Sequence, residues 1–277
     1  MSKFPKMNFH THTTYCDGKE SVESMIQAAL AKDFTRLGFS GHCFNDFRPE
    51  DQEVWCMSPQ GTREYMAEVR AMAEKYKGKI EILCGVEQDF CASTSTEGFD
   101  YVVGSVHYVE KDGMYYCVDE SPEVLEWAIK EGFGGDPYAL TKRFFEQETE
   151  VVQKTNATFI GHFDLVTKFN EGNRFFDPMD KRYRDAALTA MDALIETGRP
   201  FEINTGAMYR GLRKEPYPSV QLLKDLHERK GDILLSSDSH DGASLGFAFD
   251  EIVKLAKEIG FRGVKVLSKD GLEDFIL

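Results

Sequence analysis

Short apolar runs alternate with longer amphipathic stretches along this chain. The apolar runs are KMNFH (6–10), RLGFSG (36–41), KIEILCGVE (79–87), FDYVVGSV (99–106), TFIG (158–161), FEIN (201–204) and DILLSS (232–237). They lack clean apolar–polar alternation, as strands covered on both faces do. Between them the period is helical: within 21–32, Val22, Met25, Ile26, Ala29 and Leu30 share one face. Further helices are predicted at 59–77, 122–130, 137–156, 181–197, 218–230 and 247–259. Three of them open on Ser-Pro or Asp-Pro, at 58, 121 and 136, a cap followed by a residue with no N–H to leave unpaired. Strand then helix, repeated about seven times, predicts parallel strands joined by right-handed crossovers.

The polar residues that end these runs decide between a closed and an open sheet. His10 and His12 end the first, His42 follows the second, Glu87 ends the third, and His107 follows the fourth. His162 follows the fifth, and Asp238 and His240 end the last. Six of the seven histidines therefore stand at carboxyl ends of predicted parallel strands; His227, inside a predicted helix, reads as a solvated residue. In a barrel those ends converge on one face, whereas along an open sheet they could not all meet. The expected fold is thus an α/β, TIM-like closed barrel of seven or eight strands. With no internal repeat, low-complexity segment or linker, residues 1–277 are expected to form a single domain.

Alternate strand residues point the same way, so His10 and His12 can aim two imidazoles at one ion. With Asp17, they bring the candidate ligands to nine: His10, His12, Asp17, His42, Glu87, His107, His162, Asp238 and His240. That is too many for one ion, and it suits two or three divalent ions sharing a carboxylate. Imidazole and carboxylate donors without thiolate favour zinc, manganese or iron.

Composition narrows the partners. Hydrophobic residues at 42% and charged residues at 29% describe a globular chain with enough apolar material for a large core. A net charge of −14 argues against long nucleic acid and anionic membranes, while bound cations could still admit a small anionic substrate. No apolar run is long enough to span a membrane, and the opening MSKFPKMNFH lacks the apolar core of a leader, so a cytoplasmic location is expected. The six cysteines form no CxxC pair and read as reduced.

The ordered set HTHT…CD, GH, GVE, GSVH, GHFD and DSH, spanning residues 7 to about 242, resembles the polymerase-and-histidinol-phosphatase (PHP) phosphoesterases. It is most similar to their monomeric, metal-dependent histidinol-phosphate phosphatases, and FEINTGAMYRGLRKEPYPS (201–219) resembles the same branch. The resemblance implies a distorted (β/α)7 barrel with three ions. His10, His12, Glu87 and Asp238 would hold the first; Glu87 would bridge to a second held by His107 and His162; Asp17, His42 and His240 would hold the third.

The expected chemistry is hydrolysis of a small phosphorylated metabolite, most similar to L-histidinol phosphate, by in-line attack of a metal-bridging hydroxide. Asp238 or His240 would relay a proton to the leaving oxygen. Arg48, Arg174, Arg210 and Arg213 are the candidate phosphate contacts, because guanidinium matches phosphate with two parallel donors. Glu171, Glu215 or Asp46 could meet a substrate cation, and Phe47, Trp55, Phe175 or Tyr209 its ring. Three alternatives compete: a phosphodiesterase or nucleotide phosphatase acting on mono- or short oligonucleotides, a metal-dependent amidohydrolase, and a non-catalytic metal-binding module. A monomer or small homo-oligomer is expected.

Overall fold

The computed structural model describes residues 5–277; residues 1–4, part of the opening stretch read for a leader, lie outside the described residues. The strands are β1 (Met7–Asn8), β2 (Arg36–Phe39), β3 (Glu81–Asp89), β4 (Tyr101–Ser105), β5 (Tyr108–Lys111), β6 (Met114–Cys117), β7 (Phe159–Ile160), β8 (Phe201–Asn204), β9 (Ile233–Ser236), β10 (Gly263–Ser268) and β11 (Gly271–Ile276). The helices are α1 (Val22–Ala31), α2 (Pro59–Lys75), α3 (Pro122–Trp127), α4 (Pro137–Thr155), α5 (Lys181–Glu196), α6 (Gly206–Tyr209), α7 (Val220–Glu228) and α8 (Phe249–Ile259). Each helix expected from the pattern is present to within a few residues.

Seven strands form one sheet in the order β1-β2-β3-β4-β7-β8-β9, and every neighbouring pair is parallel. Its two edges meet at the carboxyl end. There Thr11 bridges Ser239 in parallel, with His12 N–H donating to Ser239 O at 2.8 Å and Ser239 N–H to His10 O at 3.0 Å. The result is a nearly closed barrel of seven strands. Its last contact is made by the backbone of the two leading histidines and the threonine between them.

The helix starts follow from their caps. Ser21, Ser58, Ser121 and Asp136 each accept a first-turn backbone N–H, and proline follows the last three. Inside the barrel Tyr101 packs so close to β3 that a Cβ on Gly85 would meet its ring at 2.4 Å, which requires glycine there. Tyr101 donates to Phe39 O at 2.9 Å, so the hydroxyl is not stranded. Outside, the rings of Phe144, Phe145, Phe163, Phe201 and Tyr183 pack between the sheet and the α4–α5 layer. Full burial of each such side chain stabilises by roughly 1.5–3 kcal/mol.

Two hairpins were not anticipated: β5–β6 beyond β4, and β10–β11 at the carboxyl terminus. Neither supplies a barrel strand.

One buried group in this layer is costly. Glu148 lies on the inner face of α4 at 1% exposure, and neither carboxyl oxygen has a partner among the described residues. Burial, reinforced by Asp164 and Asp89, pushes its pKa well above the ordinary range. The fold thus keeps a proton that the unfolded chain releases near pH 4.3, so stability is complete below that pH and declines as pH rises. Glu148→Gln is expected to raise the melting temperature by several degrees at pH 8, on the order of 1–3 kcal/mol. The gain should vanish near pH 4, and a pH-independent gain in thermal melts would show that the carboxyl is not held protonated.

Candidate metal centre

The parallel strands deliver one polar residue after another to the same mouth. His10 and His12 leave β1 on either side of the Thr11 bridge, so both imidazoles turn inward. His42 follows β2 and pairs with Glu87 of β3 as an isolated bridge; His107 follows β4 and His162 follows β7. Asp238 and His240 follow β9, and Asp17 arrives from the turn after His12. Gly206, at the start of α6, makes room: a Cβ there would meet Asp238 Oδ2 at 2.8 Å.

All nine side chains predicted as ligands come together in overlapping groups whose donor atoms lie within 4.8 Å of one another. Glu87 sits at the centre, with its two oxygens facing different sets. Oε1 lies 3.2 Å from His107 Nε2 and 2.9 Å from His162 Nε2, and accepts from Ser105 at 2.8 Å. Oε2 lies 3.1 Å from His10 Nε2, 3.5 Å from His12 Nε2 and 2.9 Å from His42 Nδ1. Asp238 Oδ1 stands 3.7 Å from His10 Nε2 and 3.3 Å from His12 Nε2. Asp17 faces His12 Nδ1 at 3.5 Å, His42 Nε2 at 3.7 Å and His240 Nε2 at 3.0 Å. His12 and His42 therefore each present both ring nitrogens to carboxylates.

Such a cluster fits cations. His10 Nε2, His12 Nε2 and Glu87 Oε2 are buried and have no hydrogen-bond partner among the described residues, although Glu87 Oε2 stands 3.1 Å from His10 Nε2 and 3.5 Å from His12 Nε2. Lone pairs that converge without a hydrogen between them need a positive centre. Two ligands each about 2.0–2.1 Å from one ion, at octahedral to tetrahedral angles, stand roughly 2.9–3.4 Å apart.

The electrostatics agree. Burial opposes charge on Glu87, yet His10, His42 and His107 hold its pKa well below the ordinary range. Asp238 is likewise held down against burial by Arg210 and His10, and Asp17 by His240 and His42. His12 moves the other way: burial, with His240 and His42 beside it, lowers it to about 3, leaving a neutral imidazole suited to metal.

A family model described as the PHP domain matches residues 8–206. The chain belongs to the PHP domain family. A protein from Deinococcus radiodurans named "Probable histidinol-phosphatase" is 31% identical over 272 residues, covering 92% of this PHP chain and 94% of the relative. Among solved structures, one from Listeria monocytogenes superposes with a TM-score of 0.76 at 19% identity, over 89% of this chain and 99% of its own. Another, the histidinol phosphate phosphatase of Lactococcus lactis subsp. lactis, solved with zinc, L-histidinol and phosphate, gives 0.69 at 22% identity, over 97% and 98%. At these identities the two structures establish the barrel.

The four candidate arginines of this PHP chain part company. Arg210 Nη2 donates to Asp238 Oδ2 at 3.0 Å, and Nη1 faces Asp238 O at 3.3 Å and His240 Nδ1 at 3.4 Å. The other three are engaged elsewhere. Arg48 pairs with Glu50 and Asp51 and lies over the Tyr108 ring, where it fastens the loop after His42. Arg174 is exposed and stacked on its neighbour Phe175. Arg213 is buried against Thr167, Glu215 and the Tyr217 ring. Only Gly211 and Leu212 separate Arg210 from Arg213, and the turn after the short α6 helix sends them to opposite destinations.

The other rim candidates divide too. Asp46 bonds Ser93, Glu215 receives Val220 N–H, and Glu171 pairs with Lys214; Phe47 packs on Tyr108 and Tyr115, and Tyr209 on Phe247. Trp55 stands edge-on to His42 at 4.7 Å and near His107 at 5.7 Å. His227 packs on Phe261 at 5.1 Å, away from the cluster.

Sequence reasoning missed a second group at the mouth. A cleft of about 220 Å³ is lined by Asp17, His42, Trp55, Asp119, Glu120 and Lys168, together with Val54 and Cys117. Asp119 Oδ2 lies 3.2 Å from Lys168 Nζ. Against burial, Lys168 and His107 hold Asp119 down at about 2, so it stays ionised. Asp89 was also passed over: its Oδ2 meets His107 Nδ1 at 3.1 Å and accepts His107 N–H at 3.0 Å. Asp89 ends β3 two residues after Glu87 and Asp119 follows the hairpin strand β6, and neither position carries a pattern that would have found it.

Proposed function

We propose that this chain hydrolyses L-histidinol phosphate to L-histidinol and phosphate, in the cytoplasm, with residues 1–277 working as one catalytic unit. The observation that carries this is the placement of Glu87, whose two oxygens face separate sets of imidazoles at one barrel mouth. The relatives' names and the substrate fragments bound in the Lactococcus lactis structure support the choice of ester.

His10, His12, Glu87 and Asp238 would hold one divalent cation, Glu87, His107 and His162 a second, and Asp17, His42 and His240 a third. When bound, zinc, manganese or iron there lowers the pKa of water and draws charge from phosphoryl oxygens. The chain's own groups do the rest. Arg210, half-exposed beside Asp238, offers guanidinium N–H donors to the phosphate as charge grows on it. Asp238 stays ionised and its Oδ2 holds Arg210 at the mouth, while Asp238 or His240 would relay a proton to the leaving oxygen. Trp55 borders the cleft beside the imidazoles, and the carboxylates of Asp119 and Glu120 face the end of a substrate that carries an ammonium. A phosphate at one end and a cation at the other match this division of charge.

The test compares L-histidinol phosphate with AMP, p-nitrophenyl phosphate and bis-p-nitrophenyl phosphate, in zinc, manganese and iron. L-Histidinol phosphate is expected to have the highest kcat/KM. Preference for AMP or for the diester would overturn this reading in favour of a nucleotide phosphatase or diesterase. Asp119→Asn is expected to lower kcat/KM for L-histidinol phosphate by roughly 10- to 100-fold, one charge-assisted hydrogen bond of about 1.5–3 kcal/mol. p-Nitrophenyl phosphate, which has no ammonium, should be turned over within about threefold of the parent rate. Equal losses on both substrates would remove Asp119 from ammonium recognition.

A further inference from the structure

Glu202 points into the barrel from β8 at 0% exposure, and each of its oxygens is committed. Oε1 lies 2.6 Å from His10 Nδ1 and accepts a short hydrogen bond from Ser236 Oγ. Oε2 accepts His162 N–H at 2.8 Å and Asn204 Nδ2 at 3.0 Å. One carboxylate thus joins β1, β7, β8 and β9, and touches two of the nine clustered residues, His10 through its ring and His162 through its backbone. With every partner of Glu202 a donor, the His10 proton belongs on Nδ1. That leaves the Nε2 lone pair free, and Nε2 is the orphaned atom directed at Glu87 and Asp238.

We propose that Glu202 is the positioning residue that sets the tautomer and aim of His10 and holds the His162 backbone in register with it. The inference rests on the metal-centre reading above. It makes one carboxylate responsible for two of the three cation positions, those containing His10 and His162. The Asp17–His42–His240 group, which Glu202 does not touch, lies outside its reach. Carboxylates behind metal-bound imidazoles raise metal affinity by about 10- to 100-fold, by orienting the ring and increasing its basicity.

The experiment is a zinc titration of the full chain against a competing chelator, parent beside Glu202→Gln, with bound zinc counted after dialysis. Two of the three binding steps should weaken by about 10- to 100-fold in the variant, while one stays within about threefold. An isotherm identical to the parent's, or uniform weakening of all steps, would overturn the proposal. A parent that binds no zinc would instead sink the metal-centre reading, so the two failures are distinguishable. If Glu202→Gln does not fold, 15N spectra of the zinc-loaded parent decide. His10 should carry its proton on Nδ1 and bind zinc through Nε2; zinc on Nδ1 refutes the assignment.

Discussion

Glu87→Gln should reduce kcat/KM for a phosphomonoester by at least about a thousandfold and lower the bound metal by at least one ion per chain. The carboxylate faces His107 and His162 through one oxygen and His10, His12 and His42 through the other. Glutamine has the same shape but replaces one acceptor with an NH2, whose hydrogens would point at nitrogen lone pairs or at a cation. Several kcal/mol of charge stabilisation is then lost, and each 1.36 kcal/mol is tenfold in rate. Because the volume is unchanged, the barrel should remain folded by circular dichroism. Elemental analysis and steady-state kinetics on the same preparation make the test. Full metal content with turnover within tenfold of the parent would show that Glu87 does not join two cation positions.

The second large effect is expected at Arg210. Arg210→Met should lower kcat/KM for the phosphomonoester by roughly 10- to 200-fold, the range for loss of one charge-assisted contact worth about 1.5–3 kcal/mol. Arg210→Lys should recover little, since an ammonium cannot reproduce the paired donors that reach Asp238 and its backbone oxygen together. Metal content separates two routes to the loss. If zinc is retained and the rate falls, Arg210 acts on the phosphate. If zinc falls in step with the rate, its effect runs through Asp238 instead. Unchanged kinetics would return Arg210 to a structural cation.

Much of this was legible in the chain itself, for identifiable reasons. Strands buried on both faces are apolar throughout, so seven short runs stood out even where β1 and β7 hold only two paired residues each. Proline-led caps marked three helix starts. A strand's end is set by where its apolar run stops, so eight of the nine polar residues could be placed at one face before any contact was known, all but Asp17. The β5–β6 hairpin escaped notice because the stretch after His107 has turn residues but no barrel partner.

What sequence determined, then, was membership of the mouth: parallel strands carry their terminal residues to a common rim whatever the details of packing. What only the tertiary structure decided was direction. The His10–Glu202 contact joins residues 192 positions apart, and nothing near either one announces it. Arg48 and Arg210 both lie on loops that follow barrel strands. One is fastened under a loop by Asp51 and Tyr108, while the other reaches Asp238. Which side of a rim residue faces the centre depends on packing and hydrogen bonds contributed by distant strands, and local pattern carries no record of them.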